Sequence, residues 1–132
     1  NIAAFSMLGA RIVLVAPPTL LPPDVAHWPV TVSHSLDDVV GRTDILYMLR
    51  LQSERMAQGH VPSLREYSEG YGLTRARVER LRADAMVMHP GPMNRGVEID
   101  STVADGKQSV ILPQVTFGIA IRMAVMSILA GN

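Results

Sequence analysis

The chain has 132 residues, twelve basic and twelve acidic side chains for a formal net charge of zero, and no cysteine. A composition of 48% hydrophobic and 18% charged residues excludes disorder and suits one α/β domain with a real core. Neutrality leaves no electrostatic footprint for nucleic acid or an anionic membrane, and the lack of cysteine excludes disulfides, zinc–thiolate sites and a thiol nucleophile, so a cytoplasmic protein is expected.

Residues 1–9 read as an amphipathic helix stopped by Gly9. They carry neither an initiator Met nor a signal-peptide pattern, so a piece of a longer chain is expected. Residues 12–16 are a continuous apolar run stopped by Pro17 and Pro18, the pattern of a buried parallel strand. Five prolines within residues 17–29 argue against a long helix there. Residues 30–32 make a weak strand, and Ser35 with Asp38 caps a short helix over residues 36–40.

Residues 44–49 form a second buried strand that delivers Arg50 at its C-terminal end, the end where open α/β sheets bind ligands. A long polar segment follows, with one short helix opened by a Ser63–Glu66 capping box. Thr74 caps a helix through Arg82, whose Arg75, Arg77, Arg80 and Arg82 read as a solvated face, with no interleaved aromatics to suggest nucleic acid. Residues 85–88 are a third strand, residues 101–108 a polar connection and residues 110–112 another short apolar run. Residues 115–129 make a helix apolar on nearly every side. That helix is about five residues short of a membrane span and carries Arg122 near its middle, so it is expected to bury its surface against further protein.

The most sharply built stretch is residues 87–100, where a strand breaks into Pro90-Gly91-Pro92 between His89 and Arg95. Two prolines fix most of the torsions, and the glycine lets a small ligand approach main-chain atoms; an ordinary tight loop has the same composition. If the strands are parallel, this turn and Arg50 with Gln52 share one sheet edge. A guanidinium there can hold a carboxylate through two parallel hydrogen bonds, with Gln52 as neutral donor and acceptor. Glu54 either orients Arg50 or simply pairs with it on the surface. His89 is either a buried support of the turn or a base, Arg95 pairs with Glu98, Asp100 or a subunit, and Gln114 is a cap or interface residue. No Gly-rich phosphate loop follows residues 12–16, and His27, His34, His60 and His89 have no metal-ligand spacing.

The run His89-Pro90-Gly91-Pro92-Met93-Asn94-Arg95-Gly96-Val97-Glu98-Ile99 resembles a motif of bacterial aspartate carbamoyltransferases, and residues 46–55 resemble that family's aspartate-binding segment. Gln114-Val115 and residues 118–124 resemble its last helix, so the likeness covers nearly the whole chain. Phe117 departs from it, standing where many members have asparagine, and the chain lacks the cysteine that ornithine-type relatives carry in the His-x-x-Pro motif.

The resemblance implies a Rossmann-like, three-layer α/β domain with a mostly parallel sheet and helices on both faces. Residues 1–132 would form the aspartate-binding domain, with the helix near residues 115–129 packing on an N-terminal carbamoyl phosphate domain that this sequence lacks. It also implies carbamoyl transfer from carbamoyl phosphate to L-aspartate in pyrimidine synthesis, without cofactor or metal, by a homotrimer to which a regulatory chain or dihydroorotase can attach. By carry-over, Arg50, Gln52, Gly91 and Pro92 bind substrate, Glu54 and His89 support them, and the segment up to Gly72 closes over aspartate. The Gly91–Pro92 bond is expected to be cis. The catalytic phosphate site is expected in the other half, leaving this chain inert alone. A carbamoyltransferase for another amine and a non-catalytic homologue are the alternatives.

Overall fold

Each strand is three residues long, and β1 (Val13–Val15), β3 (Ile45–Tyr47) and β4 (Met86–Met88) lie inside the expected runs, while β2 (Thr31–Ser33) is shifted one residue past the expected 30–32. In the computed structural model, which describes residues 1–52 and 63–131, β1 pairs with β2 and β3 with β4, both in parallel. A further parallel bridge joins Val87 to Ser109, with the Val87 N–H donating to Gln108 and the Val110 N–H to Val87. The apolar run at residues 110–112 therefore turns helical as soon as it has flanked β4.

The parallel α/β class holds, but the named strands form two two-stranded sheets. Short strands are the physical reason. Pro17 and Pro18 lack the N–H groups that would extend β1, and β3 and β4 leave their ladder to enter the loops described below.

Leu46 and Val87 occupy matching register positions and are buried with Leu36, Val40, Leu73, Ile99 and Ile111. Ile45 and Met86, also in register, alternate to the other face and are exposed. At those two positions the sheet face is open where cover on both faces was expected. Helix α1 (Ile2–Met7) covers the next position, its Phe5 ring meeting Tyr47 edge-on at 6.3 Å.

Two of the three caps read from sequence open helices; at the third, Ser35 Oγ accepts from the Asp38 N–H at 3.3 Å, but the expected helix over residues 36–40 is a turn followed by a 3-10 turn at Val40–Arg42. Ser63 Oγ accepts from the Glu66 N–H at 3.1 Å to open α2 (Leu64–Tyr71), and Thr74 Oγ1 accepts from the Arg77 N–H at 3.4 Å to open α3 (Arg75–Val78). Helix α3 is shorter than expected, and its arginines are not one solvated face. Arg77 is only 9% exposed. Its guanidinium donates to Asp37 Oδ2 and to the carbonyls of Glu69, Gly70 and Gly72, satisfying acceptors at the C-terminal end of α2. Arg80 binds the same Asp37 from the solvent side. The Arg77 hydrogen bond, helped by the charges of Arg77 and Arg80, holds the Asp37 carboxyl below its usual range against the upward push of desolvation.

The connection at residues 101–108 contains a four-residue helix, α4 (Ser101–Ala104), capped by the Asp100 carboxylate on the Thr102 N–H. Helix α5 (Ile111–Leu129) has 19 residues and starts one turn earlier than expected, with Pro113 in its first turn where no N–H is missed. At a mean hydropathy of 1.6 it is long and apolar enough to cross a membrane by length and composition, which corrects the shorter span expected from sequence. Most of it is exposed, Phe117 at 67% for example.

Removing Arg77 takes a nearly buried guanidinium away from four acceptors, the Gly72 carbonyl among them buried, whereas removing Arg80 loses a half-exposed ion pair. Urea unfolding of Arg77→Met is expected to show a loss of about 2–4 kcal/mol, and of Arg80→Met less than about 1 kcal/mol. Equal losses would contradict an anchoring role for Arg77.

Candidate substrate-binding site

Because β3 and β4 run parallel with Tyr47 opposite Met88, the segments that follow them emerge at one edge. The Met48 N–H still donates to the Met88 carbonyl at 2.8 Å, so the two chains leave together. Beyond that point Arg50 is half-buried, Leu51 is buried and Gln52 is exposed. On the other chain His89 is buried, Gly91 half-buried and Pro92 exposed.

Gly91 has φ +63°, a left-handed conformation that L side chains rarely adopt, and the Gly91–Pro92 peptide is cis, as the resemblance implies. The turn is held from inside by His89. Its Nδ1 accepts from the Gly91 N–H at 2.9 Å, which leaves the proton on Nε2, facing Glu98 Oε1 at 3.2 Å. The backbone N–H of His89 donates to Gln114 Oε1 at 2.9 Å, and Gln114 Nε2 donates to the Tyr47 hydroxyl at 3.0 Å. His89 thus supports the turn, and its ring nitrogens are both occupied. Burial pushes its pKa down, against the upward pull of the hydrogen bond and charge of Glu98.

Glu98 is the centre of this arrangement. It and His89 are 0% exposed. Its Oε1 also accepts from the Asn94 N–H, and the Asn94 side-chain amide donates to the Leu51 carbonyl at 3.1 Å. That last bond ties the turn to the backbone between Arg50 and Gln52. Helix α2 docks on the same region: Ser68 Oγ donates to the Gly96 carbonyl, and the Leu73 N–H donates to the Glu98 carbonyl. A Cβ on Gly72 would stand 2.6 Å from the carbonyl oxygens of both Ser68 and Val97, so this contact requires glycine. Tyr67 stacks on Tyr71, and its hydroxyl pKa is raised by burial and then by the charge of Glu98.

The structure therefore brings Arg50, Gln52, Gly91 and Pro92 onto linked segments, with His89 beneath the turn. Glu54 lies outside the described residues. Arg95 does not pair with Glu98 or Asp100; it makes a two-pronged ion pair with Asp105 and donates to the Ser101 carbonyl. Gln114 does not cap α5 but sits within it as a brace between both strand ends. Sequence reasoning missed Glu98 and Asn94 as parts of the site, although a carboxylate between Val97 and Ile99 in an apolar context is itself a signal of a partnered buried charge. Among the described residues no group of three or more His, Asp or Glu side chains is arranged to hold a metal.

An α/β chain whose adjacent parallel strands end in an arginine segment and a cis-proline turn matches a known family. The family model described as aspartate/ornithine carbamoyltransferase, Asp/Orn binding domain, matches residues 1–129, and the chain belongs to that family. The aspartate carbamoyltransferase catalytic subunits of two strains of Desulfitobacterium hafniense are each 51% identical over all 132 residues, which span 42% of their length. Among solved structures, the aspartate transcarbamoylase of Trypanosoma cruzi in complex with carbamoyl phosphate and aspartate is 29% identical, with a TM-score of 0.70 over 88% of this chain and 40% of that one. The ornithine carbamoyltransferase of Pyrococcus furiosus, 23% identical with a TM-score of 0.82 over 96% of this chain and 44% of that one, shares the Rossmann-like fold.

The His89 geometry fixes a pH dependence. Because its pKa is lowered on folding, the unfolded chain binds the extra proton first, so the neutral ring stabilises the fold fully above about pH 6.5 and loses that contribution as pH falls towards the folded value. Protonation would also set an Nδ1 proton against the Gly91 N–H. Thermal melts between pH 7.5 and 5 are expected to fall in the wild type and to fall less steeply in His89→Gln. Parallel curves would remove His89 as the titrating group.

Proposed function

We propose that this chain supplies the aspartate-binding half of an aspartate carbamoyltransferase, which transfers the carbamoyl group of carbamoyl phosphate to the amine of L-aspartate, giving N-carbamoyl-L-aspartate and phosphate for pyrimidine synthesis. The observation that carries this reading is the hydrogen bond from Asn94 to Leu51, which holds the Arg50 segment beside the Gly91–Pro92 turn. Support comes from the 51% identity to catalytic subunits of that name.

In this reading Arg50 holds a carboxylate of aspartate, Gln52 assists, and main-chain groups of Gly91 and Pro92 meet the carbamoyl and amino groups. The amine attacks the carbamoyl carbon, a C–N bond forms, and the bond to phosphate breaks. The protein contributes positioning, exclusion of water and stabilisation of the tetrahedral species. A cationic Arg50 at the strand end favours an acidic acceptor over a basic one. The relatives are more than twice as long as this chain. We assign carbamoyl phosphate binding to the additional length, against which the exposed apolar surface of α5 would pack. A cytoplasmic homotrimer is the assembly we propose, and the chain by itself should be inert.

In a full-length protein containing this chain, Arg50→Ala is expected to raise the KM for aspartate about a hundredfold while leaving carbamoyl phosphate binding within about twofold. Steady-state kinetics with a direct binding measurement for carbamoyl phosphate would check this. Equal losses for both ligands would count against the assignment.

A further inference from the structure

We propose that Asn94 and Glu98 are positioning residues that set the spacing between the Arg50–Gln52 segment and the Gly91–Pro92 turn, an inference that rests on the aspartate-binding reading above. Two branches diverge from one atom, Glu98 Oε1. The first runs to His89 Nε2 at 3.2 Å and, through His89 Nδ1, to the Gly91 N–H at 2.9 Å. The second runs to the Asn94 N–H and, through the Asn94 side chain, to the Leu51 carbonyl at 3.1 Å. Each branch ends on one of the two segments that would have to meet the same substrate.

The chemistry suits a carboxylate. Oε1 must accept two hydrogen bonds and donate none, and both donors are fixed by backbone or ring geometry. Glu98 and His89 are sealed from solvent, and Glu98 Oε2 is buried with no hydrogen-bond partner among the described residues, so the alignment depends on Oε1. Leu51 is itself buried at 5% exposure, so the bond to its carbonyl is shielded from competing water. Arg50 and Gln52 flank that carbonyl directly, so releasing it frees the backbone from which both side chains project. Reacting groups held even about 1 Å out of place lose rate heavily, which is why such a link matters for more than stability.

The test uses a full-length protein containing this chain, assayed with carbamoyl phosphate and aspartate. Asn94→Ala cuts only the Leu51 branch and is expected to raise the KM for aspartate about tenfold, with carbamoyl phosphate affinity within about twofold of wild type. Glu98→Ala cuts both branches and is expected to lower kcat as well. Glu98→Gln, whose amide oxygen can accept the same two bonds, should restore both parameters to within about threefold. A fall in melting temperature with unchanged KM and kcat in Asn94→Ala would reduce the network to a structural one and overturn the proposal. If Glu98→Ala does not fold, Asn94→Ala, which leaves the buried carboxylate with its His89 bond, decides alone. A wild-type protein that ignores aspartate would instead overturn the functional reading, and this inference with it.

Discussion

Everything around the turn depends on a carboxylate placed where water does not reach. An ionised side chain inside protein is costly unless donors are already arranged around it, and each bond to it is stronger than one between neutral groups. Glu98 receives one donor from a ring and one from the backbone, both on Oε1. Its own carbonyl takes the Leu73 N–H, so the residue is held at main chain and side chain together. Buried, partnered and rigid, it turns a Pro-Gly-Pro loop into a defined surface.

The surroundings of α2 extend the same constraint. One end of that helix is pinned by Arg77, which gathers three carbonyls and Asp37, a residue forty positions earlier in the chain. Its flank rests on residues 96–98 through Ser68 and the close approach at Gly72. Helix α2 is thus fixed by contacts to the same turn that Glu98 organises. Main-chain hydrogen bonds and one buried cation do this, and these are contacts with little tolerance for displacement.

Local chemistry was readable from the residues, and the choice of long-range side-chain partners was not. The strand positions followed from continuous apolar runs, the Ser63 and Thr74 caps from side-chain type, and the approach of Arg50 to the turn from parallel strands ending at one edge. The inward turn of Arg77 could not be read, because four arginines across eight positions look alike until Asp37 is brought beside one of them. Arg95 was assigned to nearby acids for the same reason, and its partner Asp105 lies beyond them in α4's C-terminal turn. The start of α5 was missed because residues 110–112 carry β-branched and apolar side chains that suit a strand, and the Val87–Ser109 bridge does form before the helix begins. Propensity there lost to the tertiary environment.

Helix α5 joins two requirements that the sequence presents as one apolar run. Its first turns belong to the site: Gln114 braces His89 and Tyr47, and Val115 stands 3.8 Å from where a Cβ on Gly91 would be. Its later turns present large apolar side chains to solvent, which soluble surfaces rarely do over so long a stretch. The hydrogen bonds that link the turn to the Arg50 segment nevertheless lie within this chain, from His89 and Gln114 to Asn94 and Leu51. These bonds form while the later turns of α5 lie uncovered, so the arrangement of the turn does not rest on a cover over that helix.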